Sequence, residues 1–183
     1  MKLKKKVFKF KSNNYKILFV GNIGYFPNKI ACYNFSKNIL PKLNSKLPKA
    51  EFNIVGKINF IDKFFMSFFE NVKVHGPVDK LDNIVKNSIC GICNLKNSTG
   101  VQNKIFTYMS YALPAVVNKK SDPKNLIGNK DIILYKNDDQ LIKYISFLAK
   151  NKKLSNKISK NGFNVLKNKF KLSRAYANYY KIV

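Results

Sequence analysis

Short, nearly continuous apolar runs alternate along this chain with longer segments whose apolar positions recur at helical spacing. The runs are Ile17-Leu18-Phe19-Val20, Phe52-Asn53-Ile54-Val55, Val72-Lys73-Val74, Ile89-Cys90-Gly91-Ile92-Cys93, Ala115-Val116-Val117 and Ile132-Ile133-Leu134-Tyr135. Most are β-branched and apolar at consecutive positions, as strands covered on both faces of a parallel sheet must be. Between them the period predicts helices over about 29–46, 60–69, 79–87, 101–112 and 123–128. The first carries an apolar stripe of Ile30, Cys32, Tyr33, Phe35, Ile39, Leu40 and Leu43, and its Pro41 should bend it or end it early. After the sixth run the pattern is purely helical, from Asp138 to about Lys150 and again from about Leu154 to Phe170. This alternation predicts one three-layer α/β domain, a Rossmann-like parallel sheet of about six strands with a helical C-terminal cap. The domain spans 15–183, and the polar residues 1–14 form a basic arm.

In such sheets ligands sit beyond the carboxyl ends of the strands, so the strand-to-helix loops are the places to search. Gly21-Asn22-Ile23-Gly24 follows the first strand, Gly56-Lys57 the second, Gly76-Pro77-Val78 the third and Lys96-Asn97-Ser98-Thr99-Gly100 the fourth. Each holds a glycine or small polar residues, which let backbone N–H groups approach an anion. One such loop is an ordinary turn. Four in succession on one edge point to a phosphate-containing ligand. The first lacks the third glycine of G-x-G-x-x-G, so a simple dinucleotide site is disfavoured.

Charge narrows the field less than its size suggests. Lys+Arg 35 against Asp+Glu 9 gives +26, which invites a nucleic-acid or anionic-membrane reading. Arg174 is the only Arg, however, and Lys, Asn, Ile and Phe all have A/T-rich codons. Base readers favour the bidentate fork of Arg. A composition-driven, solvated surface is therefore favoured and specific nucleic-acid binding is not expected. Attraction to anionic lipid needs only charge and stays open. The basic start, Met1 to Lys6, is followed by further charge at Lys9 and Lys11, and the run at Ile17–Val20 ends at Gly21 without a cleavage site. No stretch approaches the roughly 20 apolar residues of a span. A cytoplasmic protein is expected, with contact to the inner face of the membrane as an open extension. Nine scattered carboxylates exclude an acidic metal cage, and three cysteines exclude a disulfide scaffold.

Two segments are more specific. Phe19-Val20-Gly21-Asn22-Ile23-Gly24-Tyr25-Phe26-Pro27-Asn28 precedes a helix ending Ile39-Leu40-Pro41 and a strand ending Ile54-Val55-Gly56. Gly100-Val101-Gln102-Asn103-Lys104-Ile105-Phe106-Thr107-Tyr108-Met109-Ser110-Tyr111-Ala112-Leu113-Pro114-Ala115-Val116-Val117 comes later. Together with Val74-His75-Gly76-Pro77-Val78, they resemble the donor-binding C-terminal domain of GT-B glycosyltransferases of family 4, also called group 1, over about residues 16–165. The resemblance implies one half of a GT-B fold, a nucleoside-diphosphate sugar as partner, and retaining hexosyl transfer with neither cofactor nor metal. It implies that Gly21, Asn22 and Gly24 face the diphosphate with Gly56 and Lys57 beside them, and that Gly76, Pro77 and Val78 lie against the base. It implies further that Thr99, Gly100, Val101, Gln102 and Asn103 present backbone amides to phosphate and sugar. Lys104, one turn into that helix, would add a full positive charge as the catalytic group. Holding the charge on the leaving diphosphate would be most of the catalysis.

The departures bear on activity. The family's E-x7-E places carboxylates where this chain has Thr99 and Thr107, and one hydroxyl at Thr107 replaces a carboxylate's two hydrogen bonds. A GT-B enzyme also needs an acceptor domain, so transfer requires a second polypeptide, and a truncated or split enzyme is expected. The alternative, from another class, is a non-catalytic basic α/β module binding nucleic acid or anionic membrane. Cys90 and Cys93 form a C-x-x-C within a strand, where i and i+3 point to opposite faces, so buried structural thiols are expected. His75, the only histidine, lacks a nearby carboxylate in sequence and reads as structural. The aromatic cluster Phe60, Phe64, Phe65, Phe68 and Phe69 reads first as core, and any exposed part as a docking face.

Overall fold

In a computed structural model, which describes residues 15–96, 102–124 and 126–169, the apolar runs become six strands of one parallel sheet. They are β1 (Lys16–Val20), β2 (Glu51–Val55), β3 (Val72–Gly76), β4 (Ser88–Cys93), β5 (Ala115–Asn118) and β6 (Ile133–Tyr135), in spatial order β3-β2-β1-β4-β5-β6. Each run predicted from sequence is a strand within two residues of its expected ends. The fold is the expected α/β Rossmann-like one. The central strands β4 and β5 are buried at every position, which is why their sequences show no polar alternation.

The first crossover is one long helical segment with a fault in it. α1 (Phe26–Asn34) gives way to a π turn (Phe35–Ile39) and then α2 (Leu40–Asn44). Pro41 has no N–H to give and its ring crowds the preceding turn. The ladder widens just before it, with the Leu40 N–H reaching the Phe35 carbonyl five residues back. Pro41 thus distorts the helix without ending it. Phe35 packs on Phe52 of β2 with ring centroids 4.3 Å apart, and Phe52 meets Phe19 of β1 edge-on at 6.5 Å. This stack joins the helix layer to the sheet.

α3 (Phe60–Ser67) follows β2 and is capped by Asn59, whose side chain accepts from the Asp62 N–H. α4 (Asp82–Val85) and α5 (Asn103–Ser110) complete the crossovers on either side of β4. The described residues of 123–128 carry no helix: after a short 3-10 turn at Lys119–Ser121, Pro123 and a positive φ of 62° at Lys124 turn the chain away from helical geometry. α6 (Asp138–Lys150) and α7 (Lys152–Lys169) form the C-terminal helices. α6 starts at Asn137, which accepts from the Gln140 N–H, and has Asp138 and Asp139 in its first turn. The basic arm at 1–14 and the tail beyond 169 lie outside the described residues. Among the described residues no helix is long and apolar enough to cross a membrane.

Candidate functional site

Strand order reverses direction at β1, whose neighbours are β2 on one side and β4 on the other. A crevice forms at such a point because the loops leaving the two strands turn to opposite faces of the sheet. Here the crevice is also wedged open. The β1–β4 register ends at Leu18 opposite Gly91, so the Val20 N–H and the Ile92 carbonyl have no strand partner there. The hydroxyl of Tyr108, a fully buried residue of α5, stands between them: it accepts from the Val20 N–H at 2.9 Å and donates to the Ile92 carbonyl at 3.0 Å. Burial holds the Tyr108 phenol well above its ordinary range, so it remains a neutral donor. Its ring lies where a side chain on Gly91 would be, since a Cβ there would fall onto the ring. Gly91 is the one sequence signal for this clamp: a glycine inside a bulky strand marks a close approach.

Three glycine loops meet at the rim. The Gly21 N–H donates to the Val55 carbonyl at 2.9 Å and the Ile23 N–H to the Lys57 carbonyl at 2.7 Å. Gly56, with φ of 138°, donates to the Gly76 carbonyl at 2.9 Å. A Cβ on Gly56 would strike the Gly21 carbonyl oxygen, so this contact admits only glycine. The first three loops are therefore stitched together in the order Gly21, Gly56, Gly76. Asn22 closes its own turn: its side-chain oxygen accepts from the Gly24 N–H at 3.0 Å and its carbonyl from the Tyr25 N–H at 3.2 Å. Three amides of the first loop (Gly21, Ile23 and Gly24) are thus already committed within the protein. The loop contributes shape and close backbone approach more than N–H donors.

Lys104 lies behind this loop. It is only 8% exposed, and its ammonium donates to the Asn28 side-chain oxygen at 2.7 Å while standing 4.5 Å above the centre of the Phe19 ring. Asn28, from the first turn of α1, passes the contact on: its amide nitrogen donates to the Asn22 carbonyl at 2.8 Å. Burial lowers the Lys104 pKa. The sequence makes Lys104 a charge on the phosphates; in the fold its ammonium is bound to Asn28, which links it to the turn at Asn22. Asn28 and Phe19 lie in the first specific segment, but nothing local in the sequence joins them to Lys104, 76 residues on from Asn28.

The remaining expected site residues fall around the same edge. Lys57, Pro77 and Val78 are exposed, and Gly76 is buried with φ of 71°. Gln102 and Asn103 open α5, which follows β4, so the positive end of this helix lies at the carboxyl edge of the sheet, and the Gln102 side chain does not cap it. Thr107 uses its hydroxyl on the Asn103 carbonyl of its own helix, at 3.2 Å. Thr99, Gly100 and Val101 lie outside the described residues.

Other candidate groups are structural. The cysteines are free and buried, and burial raises each thiol. His75 Nε2 is 2.6 Å from the Asn53 side-chain oxygen. Asn53 itself donates to Glu51, which fixes its oxygen as the acceptor and His75 Nε2 as the donor. Burial lowers the His75 pKa. Among the described residues no group of His, Cys, Asp and Glu could hold a metal ion.

Solved structures with this fold share little sequence with it. TarM superposes with a TM-score of 0.75 at 13% identity, over 96% of this chain and 37% of its own. HepE of Anabaena, solved in complex with UDP and glucose, gives 0.73 at 12% identity, over 93% and 49%. The C-terminal domain of LpcC, a glycosyl transferase group 1 family protein from Francisella tularensis, gives 0.65 at 16% identity, over 90% and 96%. The chain thus spans half or less of the length of TarM and HepE but nearly all of the LpcC domain. No curated protein matches the sequence. Residues 14–151 match the family described as Glycosyl transferases group 1, and on that match, covering most of the chain, the protein belongs to this family.

Proposed function

We propose that this chain is the donor-binding half of a retaining glycosyltransferase, and that the crevice between β1 and β4 holds a nucleoside-diphosphate sugar. The observation that carries the reading is the crevice itself: a strand-order reversal, wedged by Tyr108, with three interlocked glycine loops on one side and the N-terminus of α5 on the other. Family membership supports it. So does the solution of HepE with UDP and with UDP-glucose, which makes a uridine nucleotide the first to try.

In this reading the diphosphate lies across the Gly21–Gly24 loop, where the lack of side chains allows close approach, and its charge faces the amides opening α5. Lys104 is a positioning residue. It adds its charge from behind the loop and, through Asn28, fixes the Asn22 carbonyl and hence the turn the phosphates rest on. Lys57 is exposed beside the second loop, where it can meet phosphate directly. Gly76, Pro77 and Val78 border the base. During retaining transfer the sugar leaves the diphosphate, and the helix dipole and nearby cations stabilise the charge that gathers there. In this reading the acceptor is bound by a further domain facing the same edge of the sheet.

Calorimetric titration with UDP, UDP-sugars, GDP-sugars and ADP-sugars tests this. One nucleotide series should bind with a dissociation constant below about 1 mM, about −4 kcal/mol. No heat with any of them at millimolar ligand contradicts the proposal.

A further inference from the structure

α3 carries a ridge of apolar side chains that the fold does not use. Phe60, Phe64 and Phe68 recur every four residues, so they stand one above another along the helix. They are 82%, 50% and 69% exposed, and Ile61 and Phe65 beside them are also exposed. The rings hold one another: Phe64 stacks on Phe60 at 6.4 Å and meets Phe68 edge-on at 4.8 Å and Phe65 at 5.8 Å. Other residues attach the helix. Met66 and Asp62 are buried, Asp62 pairs with Lys29 of α1 at 2.7 Å, and Phe69 packs edge-on against Tyr33. Single exposed hydrophobics are common, but five adjacent ones mark a surface that is covered in use.

Shape and charge select the cover. A phenylalanine that exposes four-fifths of its surface protrudes, so the patch is a crest and not a groove for a peptide. The only carboxylate within α3 is Asp62, and it is buried and neutralised by Lys29. Lys57, before the helix, and Lys63, within it, are exposed, and the whole chain carries +26; Glu70, just beyond the helix, is an exposed carboxylate near the patch. α1, tied to α3 by that ion pair, opens with exposed Tyr25 and Phe26. Protruding aromatics in a cationic surround are what an anionic lipid interface accepts.

We propose that α3 is a membrane-docking surface, with Phe60, Phe64 and Phe68 entering the interface of an anionic bilayer and Lys63 meeting its phosphates. The helix is about 12 Å long and lies flat at the level of the headgroups. Because Lys57 leads directly into it, docking brings the rim of the crevice to the lipid surface.

The test is co-flotation of the full chain with phosphatidylcholine vesicles, with and without about 30 mol% phosphatidylglycerol, at about 50 mM and 500 mM NaCl. A chain this basic is drawn to anionic vesicles at low salt in any case, so the decisive readout is the salt-resistant part. Wild type should bind the anionic vesicles at both salt concentrations. Phe60→Ser/Phe64→Ser/Phe68→Ser should lose the binding at high salt at least about tenfold, with unchanged melting temperature and unchanged nucleotide titration. Lys63→Glu should weaken binding at low salt only. The proposal is overturned if the triple variant matches wild type at high salt, or if wild type binds no vesicle. It is overturned too if size exclusion with light scattering shows a dimer that the triple variant splits, since the ridge is then a contact between copies.

Discussion

Tyr108→Phe removes one oxygen and tests how the crevice is held open. That oxygen serves two backbone groups, the Val20 N–H at 2.9 Å and the Ile92 carbonyl at 3.0 Å. The phenylalanine ring keeps the packing against Gly91, so no cavity larger than a hydroxyl appears. The cost therefore comes from the orphaned groups. Each buried group left without its partner costs about 1–3 kcal/mol; the half-buried Val20 N–H falls toward the low end. Together they give about 2–4 kcal/mol. For a domain of this size each kcal/mol lowers the melting temperature by about 2–4 °C, so a fall of about 4–16 °C is expected. Calorimetry or circular dichroism on melting measures it, and amide exchange at Val20 should accelerate in step. Gly91→Ala, whose Cβ would fall onto the Tyr108 ring, must displace the same clamp and should be comparably destabilising. A loss of less than about 2 °C in Tyr108→Phe, with Val20 exchange unchanged, would refute the clamp.

Three other outcomes are expected. If Lys104 acts through Asn28, then Lys104→Met and Asn28→Ala should each weaken nucleotide binding at least about tenfold while the double variant is little worse than either; additive losses would mean that the two side chains act separately. The three buried thiols should resist a disulfide reagent at pH 8 and react together on unfolding. Their folded pKa values are raised, so the stability they confer is complete below the ordinary thiol value of 9.0 and is lost as pH climbs above it. Lys104, with its folded pKa lowered, works in the opposite sense and favours the folded state as pH rises toward 10.5. Three groups outweigh one, so a denaturant midpoint that falls steeply above about pH 9 is expected, and a midpoint that rises there would contradict the burial of the thiols.

The sheet was legible because its strands are buried on both faces. An apolar run such as Ile17–Val20 can then be read without knowing its neighbours, and the predicted strands agree with the observed ones to within two residues. Helix ends were less legible where local chemistry departs from periodicity. Pro41 announced a fault but not that a π turn would absorb it. The apolar residues around Leu126 imitate a helix, but Pro123 and the positive φ at Lys124 turn the chain away from helical geometry. At the site, the glycine loops were visible as glycines, yet their interlocking at Gly21 and Gly56 is a contact between residues 35 apart in the chain. Lys104 shows the same limit. Its position one turn into α5 is a local fact, whereas its burial over Phe19 and its bond to Asn28 arise only when β1, α1 and α5 pack together. The aromatic ridge is the reverse case. Composition favoured core, and the fold left those rings exposed because Met66 and Asp62 already occupy the inward face of α3.

A proton–nitrogen correlation spectrum recorded during titration with UDP examines the crevice most directly. The account predicts that the amides of Gly21 to Gly24, Gly56, Lys57, Gly76, Gln102 and Asn103 shift together along one binding curve. Saturation should come at about millimolar ligand or below. Shifts confined to scattered surface lysines, or a spectrum unmoved at several times that concentration, would contradict it.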